Sequence, residues 1–166
     1  MVEVTQALAF MEQQYAQFVA LAHDGRTPYR WQFRLMRYVA QEGRWPDRIS
    51  VPTASGKTSV IDIHVFLNAM VGLAEDESRK EHEILSCLPL RLIPRRLALT
   101  VNRRSLVDDQ FDEADELCGK IHTSESMIHY KEGLKLRAGV HDGLPHTDKP
   151  SVMNVVELRG GLAYQR

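Results

Sequence analysis

The sequence predicts an α/β fold in which helices flank a parallel β-sheet. Three short apolar segments are typical of buried strands, and they cover residues 48–51, 97–101 and 152–158. Helical patterns lie between them, at residues 57–70, which are apolar almost all round, and at about residues 105–118. Because strands and helices alternate along the chain, we expect the strands to pair in parallel.

Two further helices are predicted within the first 46 residues. The first carries apolar residues at helical spacing and can end at Gly25. These apolar residues are Leu8, Met11, Tyr15, Phe18 and Ala22. The second can be capped by Thr27, has Pro28 in its first turn and ends before Gly43. Its predicted apolar face consists of Trp31, Leu35, Tyr38 and Val39.

Two stretches of the chain show little regular pattern. Residues 73–91 are polar and charged at their start, which predicts a solvated excursion that is part helical. Residues 119–150 are interrupted by glycines and prolines, and we interpret Gly133 and Gly139 as breakers of regular structure.

The composition indicates one folded domain. The 166 residues are 43% hydrophobic and 26% charged, and the net charge of -1 gives no overall attraction to nucleic acid, so such contacts need local clusters of Arg and Lys. Cys87 and Cys118 form no CxxC pair, which indicates buried structural thiols in a reducing compartment. Because no signal peptide and no apolar run of about 20 residues is apparent, we expect a cytoplasmic protein without membrane contact.

Residues 51–58 predict a phosphate-binding loop between a strand and a helix. Small residues let the backbone curl around a phosphate, and the helix N-terminus beneath them favours an anion. Lys57 can reach the β- and γ-phosphates as the catalytic lysine, and the Thr58 hydroxyl can hold Mg²⁺. The predicted nucleotide-binding residues of the loop are Pro52, Thr53, Ala54, Ser55, Gly56, Lys57 and Thr58.

The loop departs by one position from the Walker A pattern G-x-x-x-x-G-K-[ST], because Val51 occupies the place of the first glycine. The form P-T-A-S-G-K-T resembles the P-T-G-x-G-K-T loop of superfamily-two helicases, which also lack that glycine. Upstream, Pro28 and Gln32 resemble the P-x-x-x-Q element of those helicases. That resemblance implies that Gln32 reads the adenine edge and that the nucleotide is ATP.

Two downstream segments resemble the CRISPR-associated helicase-nuclease of type I interference systems. Arg103 and Arg104 begin R-R-S-L-V-D, which is similar to the R-R-T-x-V-D-Q stretch of that family, with Asp109 where its glutamine is expected. The segment E-L-R-G-G, with Arg159, Gly160 and Gly161, is similar to L-R-G-G of the type I-G branch. In that family the first segment contacts the backbone of single-stranded DNA. In the second segment, a glycine pair lets the backbone approach a phosphate closely and the arginine adds charge, so we expect it to contact DNA as well.

The resemblance implies the ATP-binding part of an ATP-dependent DNA helicase of antiviral defence, working with a CRISPR effector complex. Residues 1–46 would form N-terminal helices with the Q-motif-like element, and residues 47–166 an incomplete first RecA-like domain. The D-E-x-H carboxylate motif is missing from the sequence, and D-E-A-D at residues 112–115 is interpreted as a solvated helix face. We therefore expect nucleotide binding without efficient ATP hydrolysis or unwinding.

Other interpretations of the same loop stay open. It also suits another superfamily-two motor such as a restriction translocase, a P-loop kinase of a small molecule, or a remnant that only binds. The family also carries a metal-dependent nuclease with His-Asp ligands, and this chain has two such dipeptides, at residues 23–24 and 141–142. Because such a site needs further His and Asp ligands from several helices, we interpret both dipeptides as chance pairs.

Overall fold

The computed structural model describes residues 2–51, 56–76, 80–100, 104–139 and 152–157. Within these ranges the ordered elements are helices. The five α-helices are α1 (Val2–Ala22), α2 (Arg30–Glu42), α3 (Val60–Glu75), α4 (Arg104–Thr123) and α5 (Ile128–Ala138). Short 3₁₀-helical turns cover Lys57–Ser59, Lys80–Cys87, Leu90–Leu92 and Glu125–Met127.

The predicted α/β fold with a parallel sheet, and with it the RecA-like architecture, is wrong for the described part of the chain, which contains no strand. The described residues of all three strand candidates are irregular, and their outward side chains are exposed, as with Ile49 (39%), Leu99 (39%) and Val156 (74%). A strand is stable only where a neighbouring strand satisfies its backbone groups. In this structure other helices pack around α3, so no sheet forms against it.

Helix α3 is the centre of the fold. Residues 61–73 are all buried, which confirms the prediction of a helix that is covered on every side. The partners of this helix differ from the prediction, because α1, α2 and α5 surround it in place of a sheet. Aromatic rings from three of these helices fill the space between them, with centroids 5.1 Å apart for Tyr15 and Phe66 and 5.0 Å apart for Phe18 and Tyr130.

Helices α3 and α5 cross at two glycines. A Cβ atom added to Gly72 would lie 1.8 Å from the backbone oxygen of Gly133, and one added to Gly133 would lie 2.3 Å from that of Ala69. The two backbones are therefore in direct contact, which only residues without side chains allow. Our interpretation of Gly133 as a breaker is wrong, because this residue lies inside α5 and enables the packing.

The two N-terminal helices are confirmed, with one change. The five predicted apolar positions of α1 are all buried. Helix α2 begins two residues later than predicted, at Arg30 with Tyr29 in place of Thr27 as the N-cap, and it ends at Glu42, before Gly43, whose φ of 67° is left-handed. Leu35 and Val39 face the core as predicted, whereas Trp31 and Tyr38 are only half-buried.

A buried polar network fastens the segment after residue 90 to the helix pair. Arg137 of α5 donates from Nη2 to the Ile93 carbonyl at 2.8 Å and from Nε to Asn68 Oδ1 at 3.4 Å. The amide of Asn68 donates in turn to the Pro94 carbonyl at 3.2 Å. His64 lies beside this network, and burial lowers its pKa, so its ring stays neutral near pH 7. The network places residues 93–95 against α3 without a sheet.

The stretch at residues 73–91, predicted to be solvated, is more buried than the sequence predicts. The buried residues of this stretch include His82, Leu85, Leu88 and Leu90. The described part of residues 73–91 therefore packs on the helices instead of extending into solvent.

The predicted helix at residues 105–118 is confirmed as α4 and is longer at both ends. Among the described residues, no helix is long and apolar enough to cross a bilayer. Cys87 is exposed, contrary to the expectation of a buried thiol.

The glycine crossing yields a stability prediction. Replacing Gly72 with Ala places a methyl group against the Gly133 backbone, and we expect a loss of about 3 kcal/mol or more in the free energy of unfolding. Gly119 is the matched control, because it also lies inside a helix but has no atom within 4 Å of an added Cβ. Gly119→Ala should stabilise the chain by about 0.5–1 kcal/mol. Urea unfolding followed by circular dichroism measures both values, and equal effects would contradict the close crossing.

Candidate nucleotide-binding site

The described part of the phosphate loop begins at Gly56. This glycine has φ of 71°, a left-handed conformation that other residues rarely adopt, and it leads into the turn Lys57–Ser59 and then into α3. Ser59 closes this turn, since its backbone N–H and its Oγ donate to the Gly56 carbonyl at 3.1 Å and 2.7 Å. The predicted binding residues Pro52–Ser55 and the Lys57 side chain lie outside the described residues.

The N-terminus of α3 has the character of an anion site. Ser59 is its N-cap, but the Ser59 hydroxyl donates backwards to Gly56 and does not cap the first N–H groups of the helix. These groups and the helix dipole favour a negative charge at this end. Thr58 is half-buried in the preceding turn, where its hydroxyl can serve a metal ion bound to phosphate.

Tyr29 is the residue of this site that sequence reasoning missed. Its ring lies against the loop, because a Cβ atom added to Gly56 would be 3.5 Å from Tyr29 Cε2. Tyr29 as a residue is 58% exposed and lies next to the turn that leads into α3. A signal was present in the sequence, since an aromatic residue follows Pro28 and precedes Gln32 by three positions. The role of this aromatic residue depends on its contact with Gly56, which is 27 positions away in the chain.

Gln32 lies beneath Tyr29 and is 4% exposed. Its Oε1 accepts a hydrogen bond from the Tyr29 backbone N–H at 2.6 Å, so it satisfies a donor at the start of α2. The Oε1 assignment is secure because only oxygen can accept this bond. The structure therefore assigns Gln32 a hydrogen bond that stabilises the start of α2.

An ion pair lies one helical turn beyond Thr58. Asp62 is buried in the first turn of α3, and its Oδ2 is 2.9 Å from His23 Nε2 at the end of α1. The hydrogen bond to Asp62 raises the pKa of His23, against the opposing effect of partial burial. His23 therefore pairs with Asp62 across the core, which fixes the start of α3 relative to α1. In the other His-Asp dipeptide, His141 and Asp142 lie outside the described residues.

The predicted DNA-binding residues are only partly described. Arg104 begins α4, but its side chain lies outside the described residues, as do Arg103, Arg159, Gly160 and Gly161. The D-E-A-D letters fall in the middle of α4, where Ala114 is buried and the three carboxylates are exposed. This confirms that they form a solvated helix face.

The described geometry at the start of α3 favours an anion. Two helix N-termini converge near Gly56, because Tyr29 caps α2 and its ring reaches the turn that starts α3. Within the described ranges, no group of three His, Cys, Asp or Glu side chains could hold a metal ion directly.

No family model matches the chain, and neither a curated protein nor a solved structure does. The interpretation of the site therefore depends on its residues and their geometry.

The pairing of His23 with Asp62 predicts a pH dependence. Because the folded-state pKa of His23 is raised, its stabilising contribution is complete below the unfolded value of about 6.5 and is lost as the pH rises through the raised value. We expect the urea midpoint of the wild type to fall more between pH 6 and pH 8 than that of His23→Gln.

His122→Gln serves as the control for this measurement. Partial burial lowers the pKa of His122, so its effect on stability falls on the acidic side of 6.5. The His122→Gln variant should keep the decrease of the wild type between pH 6 and pH 8. An unchanged decrease in His23→Gln would show that the pair does not contribute.

Proposed function

We propose that this chain binds a nucleoside triphosphate, namely ATP with Mg²⁺, at the start of α3. The observation that carries the proposal is the left-handed Gly56 directly before Lys57 and Thr58, with the open ring of Tyr29 against it. A glycine in this conformation lets consecutive backbone N–H groups turn towards an anion. The sequence G-K-T then supplies a cation and a hydroxyl at the helix N-terminus.

Each residue has a distinct role in this proposal. The residues before Gly56 and the first N–H groups of α3 surround the phosphates, and Lys57 neutralises the β- and γ-phosphates. Thr58 supplies a hydroxyl ligand to the Mg²⁺ that accompanies them. Tyr29 offers a flat surface on which the base stacks, and Gln32 donates from its amide to the adenine ring.

We further propose that the bound ATP serves an ATP-dependent DNA motor acting in CRISPR interference. The support is the order of motifs along the chain, with Arg103 and Arg104 after the loop and Arg159–Gly161 after them. Single-stranded DNA and a CRISPR effector complex are the partners that this role implies. The two free cysteines fit the reducing cytoplasm in which such a motor works.

A fluorescent-nucleotide titration tests the phosphate site. Lys57→Ala should weaken binding of a fluorescent ATP analogue with Mg²⁺ at least tenfold, about 1.4 kcal/mol, because one charge that contacts the phosphates is lost. Lys80→Ala is the matched control, since Lys80 is an exposed lysine at the start of another 3₁₀-helical turn. Unchanged affinity in Lys57→Ala would refute the phosphate loop.

A second titration tests the role of Tyr29. Stacking of a base on an aromatic ring contributes about 1–3 kcal/mol, so Tyr29→Ala should weaken ATP binding by roughly five-fold to more than a hundredfold. Tyr29→Phe should bind like the wild type, because it keeps the ring. Binding of inorganic tripolyphosphate, measured by competition, should be the same in all three proteins. An equal loss for ATP and tripolyphosphate in Tyr29→Ala would place the defect in the loop and contradict base stacking.

A further inference from the structure

The outer face of α2 carries two arginines that have no acidic partner among the described residues. Arg30 and Arg34 are four residues apart, so they project from one face of the helix about 6 Å apart along its axis. Both are exposed, and neither forms an ion pair with a carboxylate of the described ranges. Arg37 continues the row, but its Nη1 pairs with Glu12 Oε1 at 3.0 Å. Two guanidinium groups on this face therefore remain available for an anion.

These arginines border an open groove between α1 and α2. The groove encloses about 700 Å³ and is lined by Glu12, Gln13, Arg30, Phe33 and Arg34. The ring of Phe33 is half-buried and is held edge-on by Tyr15, with centroids 5.8 Å apart and ring planes at 87°. The groove thus combines a cationic edge with an aromatic surface whose position is fixed by the core.

The charge around the groove differs from that of the whole chain. The segment from residue 26 to residue 48 contains six arginines against the two carboxylates Glu42 and Asp47, whereas the chain as a whole has a net charge of -1. The six arginines are Arg26, Arg30, Arg34, Arg37, Arg44 and Arg48. The positive potential is therefore concentrated on α2 and its flanks, which favours an anionic partner at this face.

Single-stranded nucleic acid fits this groove better than other anionic partners. Proteins that bind single strands combine arginines along the phosphate backbone with aromatic rings on which bases stack, and the groove offers both. Glu12 does not repel the strand as a free charge, because Arg37 neutralises it. The amide of Gln13 can donate to and accept from a base edge. An acidic peptide would use the arginines but has no base to place on Phe33.

We propose that the groove between α1 and α2 binds single-stranded nucleic acid, with Arg30 and Arg34 on neighbouring phosphates and Phe33 against a base. This site shares its partner class with the proposed motor, but it uses none of the residues assigned to DNA by the sequence motifs. It also does not depend on ATP, because the groove is formed without the phosphate loop.

Fluorescence anisotropy with a labelled 20-residue oligo(dT) tests the site, using the full chain without nucleotide. The double variant Arg30→Gln/Arg34→Gln should bind at least tenfold more weakly than the wild type. The slope of log K against log salt should become shallower by roughly 1.4, since each contacted phosphate of a single strand contributes about 0.7. Arg95→Gln/Arg96→Gln is the matched control, because it removes two exposed arginines outside the groove.

Three outcomes would overturn the proposal. Equal weakening by the two double variants would show a general charge effect, and unchanged binding in Arg30→Gln/Arg34→Gln would show that the strand binds elsewhere. Binding of a labelled poly-glutamate peptide as tight as that of oligo(dT), and lost in the same variant, would assign the groove to an acidic protein. Because no nucleotide is present, failure of the ATP proposal would leave each of these results unchanged.

The stacking surface is tested separately with Phe33→Leu, which keeps an apolar side chain towards Tyr15. This variant should weaken binding of oligo(dT) about fivefold or more but leave binding of an abasic strand of equal length unchanged. An equal loss for both strands would exclude stacking on Phe33. A melting temperature within a few degrees of the wild type shows that the variant is folded.

Discussion

The contact between α3 and α5 at Gly72 and Gly133 is the constraint on which the rest of the structure depends. Backbones that touch leave no room for side chains, so the position of one helix fixes that of the other. Arg137 on the last turn of α5 then fastens residues 93–94 to the pair. Helices α1 and α2 and the turn Lys80–Cys87 also contact α3, so several elements fix its position.

The two proposed binding surfaces follow from how α2 is held. Its inner face is in the core, and its N-cap residue Tyr29 touches Gly56, so the helix end and the phosphate loop share one contact. Its outer face presents Arg30 and Arg34 to solvent. One helix therefore connects a site for a small anion at its end with a surface for a larger anion along its side.

The sequence predicts the single elements better than their arrangement. Helix α3 is recognisable because nearly every position is apolar. The proposed Gly-Lys-Thr site is suggested by residue types that are rare in combination, and it stays a prediction. The sequence cannot distinguish a glycine that interrupts a helix from one that lets a neighbouring helix pack closely. The prediction of Gly133 as a helix breaker is wrong for this reason. Apolar segments such as residues 97–100 suit a strand locally, but strand formation depends on a partner that the helices exclude. Tyr29 was missed because its neighbour in space is distant in the chain.

The separation of α3 and α5 along the chain has a consequence for synthesis in the cell. Roughly 60 residues lie between Gly72 and Gly133, and a ribosome adds about 5–20 residues per second, so α3 waits about 3–12 s for its partner. During this interval α3 is not yet packed against α5, one of the helices that bury its apolar surface. Transiently exposed apolar surface favours aggregation, so slower translation of residues 76–133 would lengthen the period in which the nascent chain can aggregate.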